Sequence, residues 1–127
     1  MEIIGTIDKW GCPIFQCDIA NTGTFQKTTV KAVIDTGAFD YCLKQIYIEA
    51  LQLPIISEIE INHPTEGKRN AYKYKGAILF GENVLPDIEI QPLILENYEH
   101  DFIIGTRFLL GKSFKYESLN DQWMIYW

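Results

Sequence analysis

The chain has 127 residues, of which 47% are apolar and 22% are charged. This length and composition predict one compact domain over residues 1–127 with a packed core, and they argue against intrinsic disorder. No apolar run approaches the roughly 18 residues of a membrane span. The first segment, MEIIGTIDKW, lacks the basic and apolar stretches of a signal peptide. We therefore expect no membrane partner and a cytoplasmic location.

The net charge of −6 argues against a general nucleic-acid-binding protein, because neutralising phosphates requires clustered Lys and Arg. One local exception is the basic run KRNAYKYK, residues 68–75. Its alternation places Lys73 and Lys75 on one face of a strand. A solvent-exposed face of a hairpin is the simplest interpretation. Contact with an acidic peptide or with RNA is the alternative.

The three cysteines, Cys12, Cys17 and Cys42, are an odd number at ordinary spacing. We expect buried or half-buried free thiols in a reducing compartment. Cys12 and Cys17 have no matching Cys or His pair, and His63 and His100 are far apart in sequence. We therefore predict no metal site and no cofactor. A Cys42 nucleophile with a distant histidine has no support beyond its residue type.

Alternation of apolar and polar residues predicts strands along most of the chain. The first two, residues 3–10 and 13–20, are joined around Gly11 and Pro13, and the third follows a turn. In chain order, the remaining predicted strands are residues 28–35, 57–63, 70–80, 87–95, 101–105, 112–117 and 122–127. The segment between residues 63 and 69 contains Pro64 and Gly67 and predicts the tip of a long hairpin.

One helical pattern interrupts these strands. Its apolar positions, at i, i+3, i+4, i+7 and i+8, are Leu43, Ile46, Tyr47, Ala50 and Leu51. Asp40 is the expected N-cap, and Pro54 ends the helix. A second helical turn is expected over residues 106–111. The sequence thus predicts a single, mainly β domain.

The segment VKAVIDTGAFDY, residues 30–41, places a carboxylate at the end of an apolar strand. In that position Asp35 would face the cleft formed by the loops. Gly37 permits a tight turn, and the short Thr36 hydroxyl can hold the loop by hydrogen bonding. On its own, the tripeptide also fits a plain turn with a capping aspartate.

Other segments follow in a defined order, namely EALQLP (49–54), DFIIGTRFL (101–109) and FKYESLNDQWMIYW (114–127). With AVIDTGA (32–38), they resemble the retropepsin-like aspartic proteases, the single-lobe relatives of pepsin. The resemblance implies a closed β-barrel with one short helix after the Asp-Thr-Gly loop and a short C-terminal helical turn.

The resemblance also implies residue roles. Asp35 would be the catalytic aspartate. Its loop would be formed by Thr36, Gly37 and Ala38. The strand that supports this loop from behind would contain Ile103, Ile104 and Gly105. The hairpin of residues 61–74 would be a flap over the substrate, with Gly67 near its mobile tip.

Aspartic protease chemistry needs two carboxylates, one ionised and one protonated. This chain contains a single Asp-Thr-Gly, while Asn21-Thr22-Gly23 carries an amide that cannot act as an acid or base. The second aspartate must come from another copy of the chain. We therefore expect a C2 homodimer in which Asp35 faces its symmetry mate, and a substrate that is a peptide or an unfolded protein.

Three features depart from the family pattern. Phe39 stands where Ser, Thr or Asp is usual, and its ring would line a substrate subsite, pack at the dimer interface or fill the core. Arg107 is displaced by one position, and an ion pair with Asp40 of a second subunit is conceivable. The hairpin tip lacks the glycine-rich run of retroviral flaps. With Met1 first, we expect a free-standing cellular or bacterial member of the family.

The leading hypothesis is an aspartic endopeptidase. The alternative is a catalytically weak or inactive module of the same fold that binds peptides or dimerises, which Phe39 and the ordinary hairpin tip favour. A third hypothesis is an unrelated β-barrel binding protein, which a monomeric state would favour.

Overall fold

The computed structural model describes residues 1–94 and 97–127, which form ten strands, one α-helix and two 3₁₀ turns. The strands are β1 (Glu2–Ile7), β2 (Pro13–Ala20), β3 (Lys27–Ile34), β4 (Tyr41–Lys44), β5 (Ile55–His63), β6 (Gly67–Phe80), β7 (Asn83–Leu93), β8 (Phe102–Ile104), β9 (Ser113–Glu117) and β10 (Gln122–Tyr126). The helix α1 is Gln45–Ala50, and the 3₁₀ turns are Thr106–Leu109 and Ser118–Asn120.

Six of these strands close into a barrel. Strand β2 pairs with β3, β3 pairs in parallel with β8, and β8 pairs with β4. Strand β4 then pairs in parallel with β7, β7 with β6, and β6 returns to β2. The predicted mainly β fold with a closed barrel and one short helix is therefore confirmed.

The other four strands extend the sheet beyond the barrel. Strand β5 pairs with β6 in a long hairpin, and β1, β10 and β9 continue from β2. The chain termini meet in this extension, where the Met1 ammonium donates to the Trp127 carbonyl oxygen at 2.9 Å. The buried Trp123 indole N–H donates to the Ile14 carbonyl oxygen at 2.9 Å, which joins the extension to the barrel wall.

The core is apolar and lies inside the barrel, because alternate side chains of each strand face inward. Fully buried members on the barrel strands include Ile19, Leu43, Ile78, Ile90, Phe102 and Ile104, and Ile125 of β10 joins the same core from the extension. Among the described residues, two polar side chains are also buried, Asn21 and His100. No helix within the described ranges is both long and apolar enough to span a membrane. All three cysteines are free, as predicted, and Cys17 is buried.

The prediction of a helix that includes Leu43 and has Asp40 as its N-cap is wrong. Leu43 lies in β4, between β7 and β8, and α1 begins only at Gln45 with Lys44 at its N-cap position. Tyr41 and Leu43 are both buried, as period two in a paired strand requires. Pairing on both edges of β4 thus overrides the helical spacing of the apolar residues.

The strand predicted for residues 87–95 begins earlier than expected. Strand β7 starts at Asn83 and ends at Leu93, and Leu95 lies outside the described residues. Polar and proline residues near its start interrupt the alternation of apolar residues, so the sequence pattern does not indicate the first part of this strand. Its pairing with β6 fixes its position instead.

Candidate active site

Asp35 directly follows β3, at the end of a strand in the barrel wall. Its backbone N–H donates to the Ile104 carbonyl oxygen at 2.9 Å, so the neighbouring strand fixes the position of the residue. Its carboxylate Oδ1 accepts the Gly37 N–H at 2.8 Å. Its carbonyl oxygen accepts the Ala38 N–H at 3.1 Å. These bonds hold the partly exposed carboxylate in a tight turn and leave Oδ2 without a hydrogen bond from the described residues.

The turn is closed by backbone groups. The side chain of Thr36 is exposed, and its hydroxyl makes no hydrogen bond with the described residues. A Cβ atom at Gly37 would lie 3.2 Å from Asp35 Oδ1, a close contact that glycine avoids. Within one chain, therefore, the loop is held by the Gly37 N–H, while the Thr36 hydroxyl is available to another molecule.

The buried strand β8 supports the end of β3 from its side. Ile103 and Ile104 pair in parallel with Val33 and Ile34, the two residues that precede Asp35. All four side chains are buried. The aspartate thus emerges from a packed pair of strands, which limits its movement.

Gly105 lies directly against the loop that follows Asp35. Its N–H donates to the Asp40 carbonyl oxygen at 3.1 Å, and the next N–H, of Thr106, donates to the Ala38 carbonyl oxygen at 2.9 Å. A Cβ atom at Gly105 would lie 2.5 Å from the Phe39 carbonyl oxygen and 2.7 Å from that of Asp40. The two backbones approach too closely for any side chain at this position.

Arg107 ties the same loop to β7. Its Nη2 lies 3.3 Å from Asp40 Oδ1, and its Nη1 donates to Glu89 Oε2 at 3.2 Å. The Asp40 contact is an ion pair whose angles do not make a hydrogen bond. Asp40 Oδ2 accepts from Gln91 at 2.7 Å. The ion pair that was conceivable between subunits therefore forms within one chain.

The charges around Glu89 are balanced. Hydrogen bonds from Lys73 and then from Arg107 lower the pKa of its carboxyl group below the ordinary value of 4.5. The negative form is therefore favoured, and it holds Arg107 in place beside the loop.

Phe39 does not fill the core. Its side chain is 51% exposed, and the Arg107 guanidinium carbon lies 4.9 Å from the ring centroid. This cation–π contact orients the ring at the protein surface, next to the Asp35 turn. Of the three expected roles, a substrate subsite and a dimer contact are the two that an exposed ring allows.

The hairpin of β5 and β6 has a tip held by a histidine. The ring Nδ1 of His63 accepts the N–H groups of Thr65 and Glu66, each at 3.2 Å. Gly67 begins β6 with a φ of +72°, which the tight tip requires. A cleft of about 550 Å³ lies between this hairpin, α1 and the end of β7, and Asp35 does not line it.

A second polar cluster lies close to the Asp35 turn. One ligand atom each from Asp8, Cys12 and His100 come within 4.8 Å of one another. Burial raises the pKa of the Cys12 thiol, and the negative charges of Asp8, Glu99 and Asp35 raise it further. No spacing motif in the sequence indicates this cluster, because His100 lies 88 residues after Cys12 and 92 residues after Asp8.

Solved structures share this fold. A retropepsin-like aspartic protease from Rickettsia conorii matches with a TM-score of 0.67 at 17% identity, over 98% of this chain and 89% of that chain. The protease of simian foamy virus (mac) matches with a TM-score of 0.51 at 17% identity, over 76% of this chain and 92% of that chain. No protein-family model and no curated protein sequence matches significantly. The predicted retropepsin-like fold is thus confirmed.

Proposed function

We propose that this chain, which has the retropepsin-like fold, is an aspartic endopeptidase that acts as a homodimer. The observation that carries the proposal is the state of Asp35 at the end of its barrel strand. Its turn is fixed by the Gly37 N–H and by the close approach of Gly105, yet Oδ2 is not committed to any described partner. A fixed, partly exposed carboxylate with one uncommitted oxygen is suited to proton transfer.

The chemistry requires Asp35 from both subunits. Two carboxyl groups about 3 Å apart share one proton, since both cannot easily be ionised. The ionised group takes a proton from water, and the protonated group polarises the scissile carbonyl. Water then attacks the carbonyl carbon, and a proton passes to the leaving amine. One chain supplies one such group, so the complete site lies on a two-fold axis.

The surface beside Asp35 supports this assembly. Thr36 is exposed with an uncommitted hydroxyl, and half of the Phe39 ring is accessible. In the dimer, these groups meet either the second subunit or the substrate. Arg107 keeps the ring oriented, so that it presents a fixed apolar surface.

We propose an extended peptide or an unfolded protein as the substrate. Within the described residues, β5 pairs only with β6, so its other edge carries unpaired backbone groups. An extended peptide can satisfy such groups by adding a strand. The hairpin then acts as a flap over the substrate, with Gly67 near its tip.

The charge distribution gives no support to a nucleic-acid partner. The basic side chains of residues 68–75 each lie near an acid, in the pairs Lys68–Glu60, Arg69–Glu66, Lys73–Glu89 and Lys75–Asp87. The run therefore presents no uncompensated positive patch for phosphates. The three free thiols support our proposal of a reducing, cytoplasmic location.

The proposal is tested by incubating a diverse peptide pool with the wild type and with Asp35→Asn, from mildly acidic to neutral pH. We expect cuts by the wild type that the variant does not make, with a bell-shaped pH profile on the acid side of neutrality. Analytical ultracentrifugation gives the state of assembly of both proteins. No cuts by a well-folded dimer would favour the peptide-binding module of the same fold, and an inactive monomer would contradict the proposed homodimeric peptidase.

A further inference from the structure

Two segments that are distant in sequence bring a thiol, an imidazole and a carboxylate together. Asp8 and Cys12 lie on the turn between β1 and β2, and His100 lies two residues before β8. Their ligand atoms are within 4.8 Å of one another. These are the three side-chain types from which zinc sites are built.

His100 has one ring nitrogen that needs a partner. Its side chain is almost fully buried, at 2% exposure. Its Nε2 lies 3.2 Å from Glu99 Oε1, whereas Nδ1 is buried with no hydrogen-bond partner among the described residues. Buried polar atoms in native proteins are nearly always satisfied. A carboxylate on one ring nitrogen, which leaves the other nitrogen free to ligate, is the usual arrangement of a metal-binding histidine.

The turn between β1 and β2 holds the other two side chains in a fixed relation. Asp8 Oδ1 accepts the N–H groups of Trp10 and Cys12, each at 2.9 Å. Asp8 Oδ2 and Cys12 Sγ make no hydrogen bond within the described part of the chain. Two ligand atoms are therefore presented on one hydrogen-bonded loop, within 4.8 Å of a ring nitrogen of His100.

We propose that Asp8, Cys12 and His100 form a site for a divalent transition metal, with Zn²⁺ the best match. Thiolate and imidazole favour Zn²⁺ over the hard cations Mg²⁺ and Ca²⁺, and a carboxylate completes a known ligand set. Tetrahedral Zn²⁺ places its ligand atoms about 3.5 Å apart, so the hairpin turn must close by roughly 1 Å. Binding releases the Cys12 proton to solvent, and the fourth position is open to water.

The surroundings favour a cation. Glu99 lies against His100, and the negative charge of Asp35 reaches Cys12. A bound ion would join the turn between β1 and β2 to the segment that leads into β8, the strand that supports Asp35. The site is therefore a metal clamp at the edge of the active-site turn. It does not depend on the proposed peptidase activity.

The test uses the full reduced chain, freed of metal, and titrates it with Co²⁺ as a spectroscopic probe for Zn²⁺. We expect one Co²⁺ per chain, with a thiolate-to-cobalt charge-transfer band that Zn²⁺ abolishes. Cys12→Ser should lose this band. Cys42→Ser, the matched control at a half-buried thiol outside the cluster, should keep it. Absence of the band in the wild type, or its persistence in Cys12→Ser, would overturn the proposal.

A second variant covers the case in which Cys12→Ser does not fold. Asp8→Asn keeps the Oδ1 acceptor on which the turn depends, but it replaces the second carboxylate oxygen by an amide. By calorimetric titration with Zn²⁺, we expect its affinity to fall at least about tenfold. Unchanged affinity in Asp8→Asn would remove the carboxylate from the site and contradict the proposed ligand set. Peptide cleavage enters neither readout, so failure here is distinguishable from failure of the proposed function.

Discussion

Two turns of this protein share a local hydrogen bond and differ in whether the second polar atom of the first side chain also has a partner. One is Asp35-Thr36-Gly37, and the other is Asn21-Thr22-Gly23. In each, the first side chain accepts the glycine N–H through Oδ1, at 2.8 Å for Asp35 and 2.9 Å for Asn21. The shared contact shows that the turn itself requires only an oxygen acceptor.

The remaining atom of each side chain separates the two turns. Asn21 is 5% exposed, and its Nδ2 donates to the carbonyl oxygens of Leu51 and Gln52 at 2.9 and 3.1 Å. It anchors the end of α1, and its polar groups are all used. Asp35 is partly exposed, and its Oδ2 has no described partner. Asn21 has a structural role, because all the hydrogen-bonding groups of its side chain have partners in the fold. The Asp35 carboxylate keeps one oxygen free for chemistry.

The largest expected effect comes from making the first turn resemble the second. Asp35→Asn should reduce peptide cleavage at least about 100-fold, since the amide cannot transfer protons. The Asn21 turn shows that an amide oxygen still accepts the glycine N–H. The free energy of unfolding should therefore change by less than about 0.5 kcal/mol. Kinetics and denaturant unfolding measure both quantities, and a large loss of stability would contradict the comparison.

Gly105→Val tests the close backbone packing behind the Asp35 turn, a contact that distinguishes this turn from the Asn21 turn. A Cβ atom at Gly105 would lie 2.5 Å from the Phe39 carbonyl oxygen, so the backbone behind the turn must move. We expect a loss of about 3 kcal/mol in the free energy of unfolding, with loss of activity. Thermal unfolding is the measurement.

The matched control for this variant is Gly67→Ala, where a Cβ atom meets nothing within 4 Å. Its positive φ should cost about 1 kcal/mol, from backbone strain alone. A Gly105→Val protein that melts like the wild type would show that Gly105 does not pack closely against the loop that follows Asp35.

Asn21→Asp makes the second turn resemble the first, and its effect should be on stability. The oxygen acceptor for Gly23 is kept, but both donors to Leu51 and Gln52 are lost in a buried position. We expect a loss of about 2 kcal/mol in unfolding free energy. The activity of the protein that remains folded should not change. A gain of activity, or a neutral effect on unfolding, would remove the distinction between the two turns.

The smallest expected effect is a dependence of stability on pH, which distinguishes the ion pairs beside the Asp35 turn from the uncharged hydrogen bonds of the Asn21 turn. The loop after Asp35 is held partly through Arg107 and Glu89, whereas the contacts of Asn21 carry no charge. Because hydrogen bonds depress the pKa of Glu89 below 4.5, its contribution is present above that pH and is lost as the pH falls through the depressed value. Wild-type stability should therefore fall more steeply in acid than that of Glu89→Gln. Equal slopes in the two pH titrations would contradict this role.

The sequence predicts those parts of the fold in which the local residue pattern is compatible with only one type of secondary structure. Alternation at Val30, Ala32 and Ile34 identifies β3, and the polar group after it identifies the candidate site. The pattern at Leu43 misleads, because a strand of four residues precedes a helix of six and the combined spacing imitates one longer helix. Pairing of β4 with β7 and β8 resolves that ambiguity, and these two strands are distant from β4 in the sequence.

The parts of the site that sequence does not predict are those formed by tertiary contact. Arg107 reaches Asp40 of its own chain because Gly105 brings the two backbones together. Likewise, Cys12 and His100 become neighbours only when the turn between β1 and β2 packs against the segment before β8. No periodicity or spacing in the sequence encodes these contacts, because they form only when distant segments pack together in the fold.

The most direct test of the central claim is a mixing experiment with the wild type and Asp35→Asn. The two proteins are unfolded together at a constant total concentration and refolded, so that subunits assemble at random, and peptide cleavage is measured against the wild-type fraction. If each active site needs Asp35 from both subunits, activity falls as the square of that fraction, and about a quarter of it remains at equal amounts. Activity that falls in direct proportion, with about half remaining, would show that one chain carries a complete site and would contradict the account.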